Sequence, residues 1–133
     1  MATTICLDFQ LFPDNTPMPV PFTLAGFEFA KVSVGMDLFV NESGGGKGLQ
    51  FPDQGVKIKL PAPSARIGLT IGQFSGTINI LLADSTGATV GTGLVNSPGL
   101  YTIRNFTLRK KAALVVLTGG GNEGILAKIC ARI

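Results

Sequence analysis

The sequence predicts an all-β fold, in which antiparallel strands form two packed sheets. Most segments between turns carry an apolar residue at every second position, the spacing of a strand with one buried face. Such runs recur at roughly the 8–12-residue spacing that is typical of β-sandwiches. The 18 Gly and 8 Pro are scattered along the chain, which suits a protein with many tight turns.

The composition is that of a folded domain with a weakly charged surface. The chain has 133 residues, a suitable length for one domain over residues 1–133. Hydrophobic residues make up 45% and charged residues 14%, and the mean hydropathy is +0.40. These values exclude a disordered chain, which requires low hydrophobicity and high charge.

Three strands and two loops are predicted before residue 50. Residues 4–9, 25–32 and 36–40 alternate in the manner of short strands. The Pro-rich segment 13–21 cannot join a hydrogen-bonded ladder and is predicted to be a loop. The Gly-rich segment 41–48 is also predicted to be a flexible loop, although its lysine among glycines invites comparison with a phosphate-binding loop.

The alternation of apolar and polar residues is more regular from residue 56 onward. Residues 56–60 alternate apolar side chains with Lys57 and Lys59, and segment 61–64, with two prolines, is predicted to end that strand. Residues 67–71 form the next strand. Residues 77–83 are almost continuously apolar, as expected of a central strand, and Asp84-Ser85-Thr86-Gly87 predicts a hairpin turn after them.

Four more strands complete the prediction, at 88–93, 100–106, 112–117 and 124–132. A helix is an alternative only for residues 122–133. Three glycines precede that segment, and its apolar residues recur at spacing two, so a strand is favoured. The total is ten predicted strands.

The order of these segments resembles a jelly-roll of the galactose-binding type, a group that includes many carbohydrate-binding modules. Four pieces carry the resemblance: Leu7-Asp8-Phe9 with its Pro-rich loop, the segment 55–61, the hairpin around 84–87, and the glycine run 119–121 leading into the last strand. The resemblance implies two packed sheets with the first and last strands as neighbours. It does not imply a ligand, because such folds have many functions.

Sugar-binding modules of this type usually present exposed Trp or Tyr side chains. This chain has no Trp, a single Tyr and nine Phe, most of which fall at positions predicted to point inward. Carbohydrate binding would therefore depend on Tyr101, on a loop phenylalanine such as Phe51 or Phe74, and on polar loop groups.

The two cysteines lie on strands that the resemblance makes neighbours. Both are predicted to face outward, and an antiparallel register that places Cys6 opposite Cys130 also places Asp8 opposite Lys128. A disulfide and two free thiols are both compatible with this arrangement. A disulfide would favour an extracellular location, and free thiols the alternative, a cytoplasmic one. The first six residues show no signal peptide.

Metal binding is limited to oxygen ligands, because two Cys without His cannot complete a zinc site. Jelly-rolls of the kind that this chain resembles often hold a structural calcium ion near the first and last strands. Asp8 and Glu123 lie at those positions and are the predicted Ca²⁺ ligands. The Asp8–Lys128 register competes with this site, since a lysine would repel the ion.

Several functional classes are disfavoured by the sequence. Without His, neither a Ser-His-Asp nor a Cys-His catalytic arrangement can form, and the eight acids fall mostly in turns or on outward positions, so no enzyme is predicted. The net charge of +3 is too mild to predict nucleic-acid binding. No run of apolar residues is long enough for a membrane span.

Two hypotheses remain. The first is a non-catalytic binding or adhesion module whose partner is a glycan or a protein surface, with carbohydrate favoured. The alternative is a structural subunit that self-associates into a particle, fibre or appendage. A surface poor in Lys and Glu suits the second hypothesis, which predicts a homo-oligomer.

Overall fold

The computed structural model describes residues 3–33 and 37–133, so Met36, the first residue of one predicted strand, lies outside them. The prediction of an all-β fold is confirmed, and no helix in the described ranges is long and apolar enough to cross a membrane. The strands, with one 3₁₀ turn at Phe9–Leu11, are β1 (Thr4–Asp8), β2 (Phe22–Leu24), β3 (Phe27–Lys31), β4 (Phe39–Ser43), β5 (Gly46–Phe51), β6 (Val56–Gln73), β7 (Ile78–Ala83), β8 (Thr89–Val95), β9 (Leu100–Gly119) and β10 (Gly124–Arg132).

Two strands are much longer than predicted. Strand β6 continues through Pro61 and Pro63, and β9 joins the two strands predicted at 100–106 and 112–117. The register of β6 against β9 shifts between Lys59 and Ser64 and again before Arg66. The prolines sit inside that irregular stretch, where the missing N–H groups interrupt no regular ladder, so the strand bends there instead of ending.

The bends divide the strands into two antiparallel layers. In sheet I, residues 56–59 of β6 pair with β3 and with residues 114–117 of β9, which continue to β7 and β8. In sheet II, residues 66–73 of β6 pair with β10 and with residues 100–107 of β9. Strands β1 and β5 pair with the other edge of β10, and β4 pairs with β5.

The segment predicted to be a flexible glycine loop is a β-hairpin. Strands β4 and β5 pair through Ser43 and Gly46, which leaves Gly44 and Gly45 as the two-residue turn. Both have positive φ angles, +61° and +83°, as this kind of tight turn requires. The prediction missed β5 because glycines at 46 and 48 have no side chain and so show no alternation of apolar and polar residues.

The core lies between the two sheets and is rich in phenylalanine. Phe9, Phe27 and Phe29 are completely buried, as the inward positions of most phenylalanines predicted, and Phe51, predicted to lie in a loop, is buried with them. Strand β7 lies between β8 and β9, the central position predicted for it, although Leu81 remains 37% exposed on the outer side.

Strands β1 and β10 are neighbours, as the resemblance implies, and they pair in the register that aligns the two cysteines. Cys6 lies opposite Cys130, and Asp8 lies opposite Lys128. The two cysteines form a disulfide that joins residues 124 positions apart in the chain. Leu7 is buried beneath this pair, whereas Cys6 faces outward.

Candidate functional site

The outward side chains of sheet II form a broad surface, which we call the glycine face. On β6, Ile67, Leu69 and Ile71 point into the core, so the residues between them point outward. Each outward residue of β6 is flanked by partners on β9 and β10. The glycine face comprises Arg66, Gly68, Thr70 and Gly72 of β6, Tyr101, Ile103, Asn105 and Thr107 of β9, and Lys128, Cys130 and Arg132 of β10.

Tyr101 lies at one end of the glycine face and is partly buried. Its ring lies over two glycines: a Cβ placed at Gly46 or Gly72 would come within 2.5 or 2.7 Å of ring carbons. Its hydroxyl donates a hydrogen bond to the Ser43 carbonyl oxygen at 2.8 Å. Because only glycine leaves room beneath the ring, the hairpin β4–β5 and β6 together set the position of Tyr101.

Of the three predicted aromatic ligand contacts, the structure brings two together. Phe74 packs edge-on against Tyr101, with ring centroids 5.9 Å apart and an interplanar angle of 74°. Phe51 is completely buried beneath Gly124, so its predicted role in ligand binding is wrong. Phe51 ends β5 and faces inward, and the sequence prediction had placed it in a loop.

The predicted calcium site does not form, because its two acids lie apart. Asp8 is opposite Lys128, whereas Glu123 precedes β10 and accepts a hydrogen bond from the Ser75 hydroxyl. Five residues of extended strand separate positions 123 and 128, a span of roughly 15 Å. Asp8 instead accepts a hydrogen bond from the Gln10 backbone N–H at 2.9 Å. Within residues 3–33 and 37–133, no three metal-ligating side chains cluster.

A shallow concavity of about 280 Å³ occupies the far end of the glycine face, beside the disulfide. Gly68 forms its floor, and a Cβ added there would meet only the Asn105 side-chain oxygen, at 3.0 Å. Asn105 lies opposite Gly68, and Thr107 lies opposite Arg66. Arg66 in turn lies opposite Arg132. The concavity therefore offers amide, hydroxyl and guanidinium groups around an open floor.

A second concavity, of about 220 Å³, lies beyond Phe74. Its polar side chains are already engaged, Glu123 by the Ser75 hydroxyl and the others in a network of their own. The Asn41 amide nitrogen donates to Gln50 Oε1 at 2.7 Å and to Ser43 Oγ at 3.1 Å, and Gln50 donates to the Asn122 carbonyl oxygen at 2.8 Å. These bonds tie the β4–β5 hairpin to the turn before β10, which gives this concavity a structural role.

Sequence reasoning missed Arg66, Asn105, Thr107 and Arg132 as site residues. The alternation of residues 67–71 predicts that Arg66 and Gly68 face outward, so the sequence does show on which face of the strand they lie. The pairing of β6 with β9 and β10, which brings the four residues together, is a long-range property that the sequence did not reveal.

The phenol of Tyr101 is expected to ionise well above the usual range. Burial of the ring, with a smaller effect from the negative charge of Glu42, raises the pKa of Tyr101 to about 12. The unfolded chain, with a tyrosine pKa of about 10, would release this proton first as the pH rises. The contribution of Tyr101 to stability is therefore complete below about pH 10 and is lost as the pH rises toward 12.

The measurement is direct because the chain has one Tyr and no Trp. Ultraviolet absorbance of the tyrosinate, followed during an alkaline titration, should show a midpoint near pH 12 in the folded protein. Denatured protein provides the control and should titrate near ~10. A folded-state midpoint at the denatured value would show that the ring is solvated.

No protein-family model and no curated protein sequence matches this chain. Among solved structures, a mutant of CBM29-2, a family 29 carbohydrate-binding module, matches with a TM-score of 0.57 at 10% identity, covering 99% of this chain and 86% of that one. An arabinose-bound α-L-arabinofuranosidase, MgGH51, matches with a TM-score of 0.50 at 16% identity, over 96% of this chain but 25% of the enzyme. A family 6 carbohydrate-binding module gives 0.48 at 16% identity, covering 96% of this chain and 93% of that one.

The likeness to the family 29 module extends over almost the whole of both chains, and it agrees with the antiparallel two-layer arrangement described above. At this level of identity the similarity concerns the fold. The resemblance found in the sequence is confirmed: this chain has the β-sandwich fold of carbohydrate-binding modules.

Proposed function

We propose that this protein is a non-catalytic module that binds carbohydrate on the glycine face. The observation that carries the proposal is the open, glycine-floored concavity beside Asn105, with hydrogen-bonding side chains on three adjacent strands. Sugars carry many hydroxyl groups, which require donors and acceptors held in fixed positions. Neighbouring β-strands supply such positions, because the sheet fixes the backbone from which the side chains extend.

The fold supports this proposal. The matching structure with a TM-score of 0.57 is a family 29 carbohydrate-binding module, and it was used to probe how such modules recognise their ligands. The arabinofuranosidase is an enzyme, but the matched region is 25% of its length, so that similarity carries no catalytic function to this chain. Fold alone does not determine function, and the proposal therefore depends on the glycine face.

Tyr101 and Phe74 form the aromatic border of this face, and we assign them a contact with the apolar side of a sugar ring. Their edge-on packing keeps both rings in place. The Tyr101 hydroxyl already donates to Ser43, so the ring rather than the hydroxyl donor is available to a ligand. Ile103, which is 67% exposed two residues further along β9, extends the apolar surface between the border and Asn105.

Among the described residues, no Asp or Glu lines the concavity floored by Gly68, which supports a non-catalytic role for this site. Glycoside hydrolysis requires two carboxyl groups within about 5–10 Å of each other across the scissile bond. Asp8 lies opposite a lysine in the β1–β10 ladder, and Glu123 is engaged by Ser75 some ~15 Å along the strand. Neither acid lines the concavity that contains Gly68.

The test replaces Gly68 with leucine, which would fill the concavity. The added Cβ meets only the end of the flexible Asn105 side chain, so the variant should fold. We expect it to lose at least about tenfold in affinity, a loss of ~1.4 kcal/mol in binding free energy, for a polysaccharide that retards the wild-type protein in native affinity gels. The matched control is Thr92→Leu, which adds a leucine to the outer face of sheet I and should bind normally.

Each outcome of this experiment is informative. If no neutral or acidic polysaccharide retards the wild-type protein, the proposed function is wrong. If a polysaccharide binds and Gly68→Leu binds it as well as the wild type does, the glycine face is not the site. The competing hypothesis of a self-associating subunit stays a prediction, and sedimentation of the same samples over a range of concentrations would reveal it.

A further inference from the structure

We propose that the glycine face recognises an anionic sugar residue, whose carboxylate or sulfate group is held between Arg66 and Arg132. This inference rests on the proposed carbohydrate-binding function and adds the class of sugar. The protein would then bind acidic polysaccharides, and the anionic group would lie at the end of the glycine face beside the disulfide.

The position of the two arginines is set by the β-ladder. Arg66 on β6 and Arg132 on β10 lie directly opposite each other, and both side chains line the concavity floored by Gly68. Directly opposite residues in an antiparallel pair have Cβ atoms about 5 Å apart. Two guanidinium groups that start from such neighbouring positions can converge on one small anion.

The buried hydroxyl of Ser64 holds this part of both strands in place. Its Oγ lies 2.8 Å from the Arg66 carbonyl oxygen and 2.6 Å from the Arg132 carbonyl oxygen, and it accepts a hydrogen bond from the Arg66 N–H at 3.2 Å. Ser64 is 1% exposed, so water does not compete for these bonds. The backbone beneath the arginines is therefore ordered before a ligand arrives, which reduces the entropic cost of binding.

Neither Arg66 nor Arg132 forms a salt bridge with another described residue. Like charges placed directly opposite each other destabilise a β-ladder, so this pair is unfavourable for the fold alone. In the part of the chain that the structure describes, the one salt bridge joins Lys31 to Asp37, and no Asp or Glu lines the concavity. A bound anion would offset the repulsion between the two like charges.

The chemistry of the surrounding groups suits a sugar acid. Guanidinium groups bind carboxylates and sulfate-like anions through paired N–H donors in a planar fork. Asn105 and Thr107 lie beside the arginines and offer an amide and a hydroxyl to the neighbouring sugar hydroxyls. Lys128 lies further along β10 but is opposite Asp8, so its charge is partly balanced.

The same charges could attract nucleic acid, but the surroundings of the concavity favour a glycan. Proteins that bind single strands stack bases on aromatic side chains beside their basic groups. Phe106, the aromatic residue nearest to Arg66 and Thr107 along β9, packs on the opposite side of the strand, where a Cβ on Gly93 would lie 2.9 Å from its ring. The ring of Phe106 packs against the core and so does not face the two arginines, although the residue is one of those around the concavity.

The experiment measures binding of the full chain by isothermal titration calorimetry. The probes are polygalacturonate for the carboxylate arm, carrageenan, a sulfated galactan without carboxylates, for the sulfate arm, neutral galactan, and single-stranded DNA. We expect one of the two acidic polysaccharides to bind at least about tenfold more tightly than galactan, with an affinity that falls as salt is added. The arm that binds identifies the anionic group.

Variants separate this site from the general positive charge of the protein. Arg66→Gln combined with Arg132→Gln should lose about tenfold or more in affinity for the acidic polysaccharide. Lys57→Gln combined with Lys59→Gln removes the same charge from the outer face of sheet I and should bind normally. Both double variants should keep the wild-type circular dichroism spectrum, because all four side chains are on outward positions.

Four results would overturn the inference. An equal loss in both double variants would mean that net charge alone attracts polyanions. If galactan binds as tightly as either acidic polysaccharide, the proposed carbohydrate-binding function would stand, but the inference that the ligand is an anionic sugar would be wrong. DNA binding as tight as that of the acidic polysaccharide would identify a nucleic-acid surface. Failure to bind any polysaccharide would contradict the proposed function itself.

Discussion

Replacing Cys6 and Cys130 by serine is expected to lower the free energy of unfolding by about 4–5 kcal/mol. The disulfide joins residues 124 positions apart, so its removal releases nearly the whole chain from a closed loop in the unfolded state. The chain-entropy model assigns about this energy to loops of such length. A loss of this size is a large fraction of the stability of a typical domain, which is 5–15 kcal/mol.

The double serine variant should also loosen strand β1. This strand lies at one edge of β10, to which it is joined by five residue pairs and by the disulfide. Urea unfolding followed by circular dichroism measures the stability, and amide hydrogen exchange measures the opening of β1.

The control uses the wild-type protein with a reducing agent. Reduction should lower wild-type stability to that of the double serine variant, which should itself be unaffected by the reductant. A double serine variant within about 1 kcal/mol of the oxidised wild type would contradict the expectation, because strain or residual structure would then cancel the entropic term.

Truncating Phe29 to alanine is expected to cost about 3–5 kcal/mol of stability, the range for large buried aromatic side chains. Phe29 is completely buried on β3. Its ring stacks on Phe22, with centroids 4.6 Å apart, and meets the edge of Phe9 at 5.6 Å. The truncation would leave a cavity and remove both aromatic contacts, which tie β2 and the 3₁₀ turn to the core.

The matched control is Phe22→Ala. Phe22 belongs to the same stack but is only partly buried, so the loss should be smaller than that of Phe29→Ala. Thermal and urea unfolding of both variants give the comparison. Equal losses would show that the stack with Phe22, rather than the burial of Phe29, provides the stabilisation.

The predictions that held depend on local patterns. Side chains of a strand alternate between its two faces, so the sequence alone separates Ile67, Leu69 and Ile71 from their outward neighbours. The alignment of Cys6 with Cys130, one of the alternatives that the sequence left open, is observed, and it brings Asp8 opposite Lys128 as that alignment requires. Local alternation is set by backbone geometry and does not depend on the rest of the molecule.

The predictions that failed concern where strands end and which side chains are buried. Two prolines indicated the end of a strand, yet β6 bends through them, because its partner β9 continues alongside it. The glycines of 41–48 indicated a loop, yet β10 provides a ladder on which β5 can form. Phe51 was predicted to be exposed in a loop, and Gly124 on the neighbouring strand leaves the space that buries it.

The sequence by itself determined the fold class and the inward and outward faces of most strands. Only the tertiary structure decided that Asp8 and Glu123 lie apart, and that Arg66 meets Arg132 beside Asn105. The physical reason is that the face of a residue follows from its immediate neighbours in the chain. The partner of a residue across the sheet depends instead on which distant strands pair, and that is settled by packing of the whole core.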